Sequence, residues 1–180
     1  YGRPTLGVGG RGLVNEFWRF DNLEKITGGE WIIEPASYND AATGLSHDTR
    51  TITAGQVYLA VKGERFDGHR FVGSALENGA SCAIGSGEAA VGAGPVLLVD
   101  DTVAALQELA SAYRDELAKS DCKVIAVCGS NGKTTTRHLI HHVLTHCGLR
   151  GTQSPKSFNN HLGVPLTLLA ASPGDDFVAC

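Results

Sequence analysis

The chain has 180 residues, 42% apolar and 19% charged, enough to bury a core and too mixed in composition for a disordered or fibrous chain. Its net charge of −4 leaves no electrostatic footprint for nucleic acid, so a negatively charged ligand needs a local site. No apolar run reaches membrane-spanning length, no signal peptide is visible, and the cysteines at 82, 122, 128, 147 and 180 form no C-x-x-C pair, so the expectation is a cytoplasmic protein with reduced thiols and no membrane insertion.

Residues 1–20 begin glycine-rich and lack periodic apolar positions, and read as a loose leader. Phe17 to Trp31 allows a short helix followed by a turn at Gly28-Gly29, but compact structure is expected only from about Gly44. "QVYLAV", residues 56–61, has the β-favouring composition of a strand. "HRFVGSALENGA" then predicts a helix with Phe71, Val72, Ala75 and Leu76 on one face and Gly79 at its end. "SCAIG" and "PVLLVD" predict two more strands, the second apolar enough to be buried on both faces. Asp101 is placed to cap a helix whose buried stripe is Leu106, Leu109, Ala110, Tyr113 and Leu117. The polar segment "LAKSDCK" marks a domain boundary, giving a substrate domain over 21–120 and the start of a second domain over 121–180. Strands alternating with helices predict an α/β fold with mainly parallel sheets. The last residues, "DDFVAC", begin like a buried strand and then stop, as expected of a domain cut short.

The strand "KVIAV" runs directly into "CGSNGKTTT", residues 128–136, and a helix follows. The pattern G-x-x-G-K-T lacks the distant first glycine of the usual phosphate loop. What remains still suits phosphate. Gly129 and Gly132 allow the backbone to turn its N–H groups inward, with Ser130 and Asn131 between them. The following helix adds the positive end of its dipole. Lys133 supplies a full charge for the β- and γ-phosphates of a nucleotide, and the Thr134 hydroxyl, followed by Thr135, is placed to ligate Mg²⁺.

"VCGSNGKTTT" resembles the ATP loop of the Mur ligase family, in which the short cradle is normal; Cys128 stands where the family generally has threonine. "SHDTRTITAGQVYLAVKGERFDGHRFVGSALENGA", residues 46–80, is similar to the family's uridine-nucleotide domain, with its D-[ST]-R element, G-x-[LV]-[FY]-x-A strand and D-G-H turn. "SPKSFNNHLGVPLTLL", residues 154–169, resembles the segment found in the members that add D-alanyl-D-alanine, where those adding the third amino acid carry a Thr-Thr-Pro element. The resemblance spans roughly residues 45–178.

That resemblance implies an ATP-dependent, ADP-forming ligase of peptidoglycan synthesis. It would join D-alanyl-D-alanine to UDP-N-acetylmuramoyl-tripeptide through an acyl phosphate. It implies that Thr49 and Arg50 lie near the uridine diphosphate and that Asp67, Gly68 and His69 meet uracil or ribose. Asn159 and Asn160 would orient the muramoyl peptide. A metal-binding glutamate, a modified lysine and a C-terminal domain would lie beyond Cys180, so the 180-residue chain is expected to be inactive alone. A monomer is the expectation. Alternatives stay open: a ligase adding the third amino acid, or a non-catalytic nucleotide-binding module. Arg50 has a surface ion pair with Asp48 as its other role, Asp67-Gly68 a plain turn, and Asn159-Asn160 a backbone cap. The stripe His138, His142, His146 has a spacing that can hold zinc, but no glutamate lies between the histidines and a solvated face is expected. Leu139, Ile140, Val143, Leu144 and Cys147 supply the expected packing face of that helix.

Overall fold

The computed structural model describes residues 16–36, 40–63, 66–87, 94–155, 160–172 and 174–180. Two sheets organise them. The first has five strands in the order β1-β5-β4-β3-β2: β1 (Glu30–Ile33), β2 (Leu45–Ser46), β3 (Val57–Leu59), β4 (Cys82–Gly85) and β5 (Val96–Leu98). Strands β2 to β5 are parallel, and β1 joins the edge antiparallel to β5 with a register shift between Trp31 and Ile33. The second has β6 (Lys123–Ile125), β7 (Gly151–Gln153) and β8 (Phe177–Ala179), all parallel, with β8 in the middle. The α/β class with mainly parallel pairing is therefore as expected.

Alternation along β3 sorts the first sheet's two faces. Val57 and Leu59 enter the main core with Ile84 and Leu97, while Tyr58 and Ala60 face the other way, against Val72 and Ala75. The second face is covered by helix α2 (Val72–Glu77), which follows a 3-10 turn over Gly68–Phe71. The main face is covered by α1 (Phe20–Thr27) and by α3 (Thr102–Lys119). Asp101 starts α3 as expected, its Oδ1 accepting from the N–H groups of Val103 and Ala104 at 2.7 and 3.2 Å. The whole predicted stripe Leu106, Leu109, Ala110, Tyr113 and Leu117 is buried. Each of these leucines contributes about 1.5–3 kcal/mol by leaving water.

Three expectations are corrected. The leader does not extend to residue 20, because Phe17, Trp18 and Phe20 are buried. The rings of Phe17 and Trp18 pack on Tyr113 at 4.7 and 5.9 Å between centroids, and burial of aromatic surface outweighs the weak local pattern. Compact structure accordingly begins well before Gly44; residues 1–15 lie outside the described chain. Secondly, the polar segment near 120 separates two sheets but not two cores. Leu168, Leu169, Ala171 and Val178 belong to the same apolar cluster as α3. Helix α5 (Gly163–Leu169) packs on α3, and the Tyr113 hydroxyl donates to the Ala171 carbonyl at 2.9 Å.

Thirdly, helix α4 (Lys133–His146) packs by only part of the face expected, with Ile140 and Leu144 half-buried. Leu139, Val143 and Cys147 are exposed, while Arg137 is buried. His141 turns to the sheet instead: its ring lies 5.5 Å from that of Phe177, and its Nε2 donates to the Gly151 carbonyl at 3.1 Å. The helix lies over β7 and β8, so only the side toward those strands finds cover among the described residues.

Tyr113→Phe removes the bond that fastens α3 to the segment after α5 and leaves the Ala171 carbonyl buried without its donor. Chemical denaturation is expected to show a loss of about 1–2 kcal/mol.

Candidate functional site

Two separate sites lie at the carboxyl ends of parallel strands, the usual location for ligands in open α/β sheets. The first is the phosphate loop, where β6 passes into α4. The ladder between β6 and β8 continues to the loop, with the Val127 N–H donating to the Cys180 carbonyl at 2.8 Å. Gly129 then adopts φ 150° and Gly132 φ 78°, both in the region that favours glycine. Gly132 caps α4, and its carbonyl accepts the first helical bond, from Thr136 N–H at 2.9 Å. The N–H groups of Lys133, Thr134 and Thr135 thus belong to the first turn, where an α-helix offers no internal acceptor. The Lys133 ammonium arches over the loop and donates to the carbonyls of Gly129 and Ser130 at 2.5 and 3.4 Å. The expected residues Gly129, Ser130, Asn131, Gly132, Lys133, Thr134 and Thr135 therefore form one continuous loop and helix start. The geometry fits a polyphosphate: turned backbone, unpaired donors and one mobile cation. Thr134 and Thr135 carry hydroxyls in this first turn. Among the described residues no group of three His, Cys, Asp or Glu side chains could hold a metal ion, and His138, His142 and His146 are exposed as expected.

The second candidate site, the 47–71 cleft, has a volume of about 550 Å³ and a lining that includes Asp48, Thr49, Arg50, Tyr58, Phe66 and Phe71, with Gly68. Asp48 holds its first wall. Its Oδ1 accepts from the Arg50 N–H at 3.0 Å and from Arg50 Nε at 2.9 Å, and its Oδ2 accepts from Nη2 at 2.6 Å. The Arg50 side chain, 85% exposed, is thus splinted to Asp48 along one edge of its fork, with the other edge toward solvent. The guanidinium and the Arg50 N–H hold the Asp48 carboxyl down at about 2. Phe66, 75% exposed, and Phe71, 42% exposed, add aromatic surface that the sequence reading missed. Tyr58 was missed too, because its place in an apolar strand marks it only as core. The signal for Phe66 was present: a large aromatic beside a D-G-H turn, outside any periodic apolar pattern.

Other expected residues sit differently. His69 does not face the cleft: it is buried, with Nδ1 2.6 Å from Asp67 Oδ1 and Nε2 2.9 Å from the Ser86 backbone nitrogen. Asn160 is at neither site. Its Oδ1 accepts from the N–H groups of Leu162 and Gly163 at 3.3 and 2.7 Å, so it caps the start of α5. Asn159 lies outside the described residues. No helix among the described residues is long and apolar enough to cross a membrane.

A phosphate loop of the short G-x-x-G-K-T kind, following a strand and beside a second α/β layer with a cleft of its own, defines a nucleotide-binding α/β protein. Comparison with known proteins refines that class. Residues 41–114 match the model described as the Mur ligase family, catalytic domain, and residues 127–180 match that of the Mur ligase middle domain. The chain belongs to the Mur ligase family. It is 46% identical over 136 residues to the UDP-N-acetylmuramoyl-tripeptide--D-alanyl-D-alanine ligase of Bacillus subtilis (strain 168), covering 71% of this chain and 27% of the relative. A solved Acinetobacter baumannii UDP-N-acetylmuramoylalanyl-D-glutamyl-2,6-diaminopimelate--D-alanyl-D-alanyl ligase superposes with TM-score 0.76 and 32% identity, over 89% of this chain and 35% of that one. The Thermotoga maritima MurF ligase solved in complex with ADP gives TM-score 0.62 and 32% identity, over 75% of this chain and 30% of that one. The chain thus spans about a quarter of the length of the curated relative and a third of the solved chains.

A carboxyl held low in the fold stabilises it above the ordinary carboxylate range and loses that effect as pH falls through its folded value. For Asp48 this window runs from about pH 4 down to about 2. Because Arg50 is exposed, solvent screens the pair and its contribution is small. Denaturation of wild type and Asp48→Asn is therefore expected to show a small gap at pH 6 that closes by pH 2.

Proposed function

We propose that the complete protein is a cytoplasmic, ATP-dependent and ADP-forming ligase of peptidoglycan synthesis. It joins D-alanyl-D-alanine to UDP-N-acetylmuramoyl-tripeptide through an acyl phosphate, acts as a monomer, and needs no nucleic acid. The observation that carries this reading is the phosphate loop itself: Gly132 at φ 78°, three N–H groups opening the α4 helix, and Lys133 above them. The ADP complex of the T. maritima relative supports a nucleotide at this loop. The relatives named above support the choice of substrates.

In this reading residues 121–180 begin the ATP domain and 21–120 form the substrate domain. Lys133 exchanges its contacts with the Gly129 and Ser130 carbonyls for phosphate oxygens, and the N–H groups of the first turn hold the remaining charge. Thr134 supplies a hydroxyl to Mg²⁺, which neutralises charge on the phosphates when bound. In the 47–71 cleft, Arg50 offers its outer edge to the diphosphate, since Asp48 already holds the inner one. Thr49 lies beside it, and Phe66 and Phe71 offer aromatic faces to the base. Asn160 supports the segment by capping α5 and is not assigned to the ligand.

The test is ADP release by the full-length enzyme, measured with each substrate omitted in turn. Release that needs both the UDP-tripeptide and D-alanyl-D-alanine is expected. Release that instead needs the UDP-dipeptide with lysine or diaminopimelate identifies a third-residue ligase, and no release in any mixture identifies a non-catalytic module.

Two variants separate the sites. Lys133→Ala is expected to lower kcat roughly 100–1000-fold with the fold intact, because the charge matters most as the phosphoryl group transfers. Arg50→Ala is expected to weaken UDP-substrate binding by about 1.5 kcal/mol, the low end for a charged hydrogen bond because the side chain is exposed, with ATP affinity unchanged by calorimetry. Normal turnover of Lys133→Ala would leave the loop as a mere turn.

A further inference from the structure

We infer that Asp67, Gly68 and His69 form an internal pin that shapes the 47–71 cleft, of which only Gly68 lines the wall, with His69 as a positioning residue locked in one neutral tautomer. The inference rests on reading that cleft as the uridine-nucleotide site. Its first support is burial. His69 is 4% exposed, so neither ring nitrogen reaches the cleft.

The second support is the identity of its partners. Nδ1 lies 2.6 Å from a carboxylate oxygen of Asp67, which only accepts, so Nδ1 carries the hydrogen. Nε2 lies 2.9 Å from the backbone nitrogen of Ser86, which only donates, so Nε2 presents its lone pair. The Ser86 hydroxyl, 3.2 Å away, shares that acceptor. A doubly protonated ring would set N–H against N–H in a buried place. The same Asp67 oxygen accepts from the His69 backbone N–H at 3.1 Å and caps the 3-10 turn. That bond and the ring bond both draw the Asp67 carboxyl below its usual range.

Gly68 completes the pin. Its N–H donates to the Val61 carbonyl at 3.0 Å, and its own carbonyl accepts from the Tyr58 hydroxyl at 3.0 Å. A Cβ on Gly68 would stand 2.7 Å from the Val61 carbonyl oxygen and 2.8 Å from its nitrogen. The glycine is therefore required by close approach to the end of β3, not by a ligand. Together the three residues fasten the ends of β3 and β4 to the segment that carries Phe66 and Phe71. β3 and that segment line the cleft, so the imidazole, anchored at Ser86 beyond β4, sets their spacing from behind.

The test uses full-length enzyme labelled with ¹⁵N at the histidine rings, and uridine diphosphate as probe. The free protein is expected to show His69 protonated at Nδ1 and bare at Nε2, with ring signals unchanged at saturating nucleotide. A hydrogen on Nε2, or ring signals that titrate with nucleotide, overturns the inference. Asp67→Asn keeps the accepting Oδ1 and is expected to hold nucleotide affinity within threefold of wild type. Asp67→Ala removes it and is expected to weaken binding at least tenfold, raise KM for the UDP substrate while kcat stays near wild type, and speed exchange of the Ser86 amide. Equal large losses for both variants mean that the carboxylate charge meets the ligand, which overturns the pin. Should wild type bind no uridine diphosphate, the reading of the cleft fails by itself, and the ring tautomer with Ser86 amide exchange still decides the pin.

Discussion

The structure depends on the burial of helix α3 on two sides. Its stripe from Ala105 to Leu117 covers the first sheet, and the same helix receives α5 and the segment after it. Sharing one helix places both sheets around one apolar cluster and fixes how the two layers meet. The aromatic cluster Phe17, Trp18 and Tyr113 seals one side of it, and the Tyr113 hydroxyl satisfies a buried carbonyl from the second layer.

Parallel strands then decide where chemistry is possible. Their carboxyl ends release the chain into loops, and both sites occupy such ends: the loop after β6, and the segments after β2 and β3. The phosphate loop is shaped by its backbone and completed by one side-chain cation, Lys133. Its glycines permit the turn, and the helix start supplies donors that no helix satisfies internally. The cleft is different in kind. It is built from side chains, with one ion pair splinting an exposed arginine and two aromatic rings left open to solvent.

Polar residues in motifs divide by the direction they face. Asp48 and Arg50 spend most of their hydrogen bonds on each other at the rim, which pre-orders the guanidinium at little entropic cost. His69 and Asn160 face inward or along the chain and serve the backbone. Both kinds of residue stand out equally in a linear pattern. A buried imidazole with two engaged nitrogens is as demanding of its neighbours as a ligand contact, because an unsatisfied polar group in the core costs about 1–3 kcal/mol.

Local signals sufficed for much of this protein. Asp101 as a cap, the α3 stripe, the strands at 57–59 and 82–85, and the turn-and-helix form of the phosphate loop all follow from hydrogen-bonding chemistry and from periods of two and 3.6 residues, which act over a few neighbours. The G-x-x-G-K-T loop was legible for the same reason: its turns, its helix start and Lys133 lie within eight residues. What local pattern could not decide was anything settled by distant partners. Phe17 and Trp18 are core only because Tyr113, almost a hundred positions later, packs on them. Helix α4 turns His141 rather than Leu139 to the sheet because Phe177 and Gly151 lie there. His69 is buried because Ser86, at the end of a neighbouring strand, donates to it. The sequence by itself determined the elements just named and the turn-and-helix form of the phosphate loop. Only the tertiary structure decided which polar residues face the cleft, because burial is a property of the whole packed core and not of any short stretch of chain.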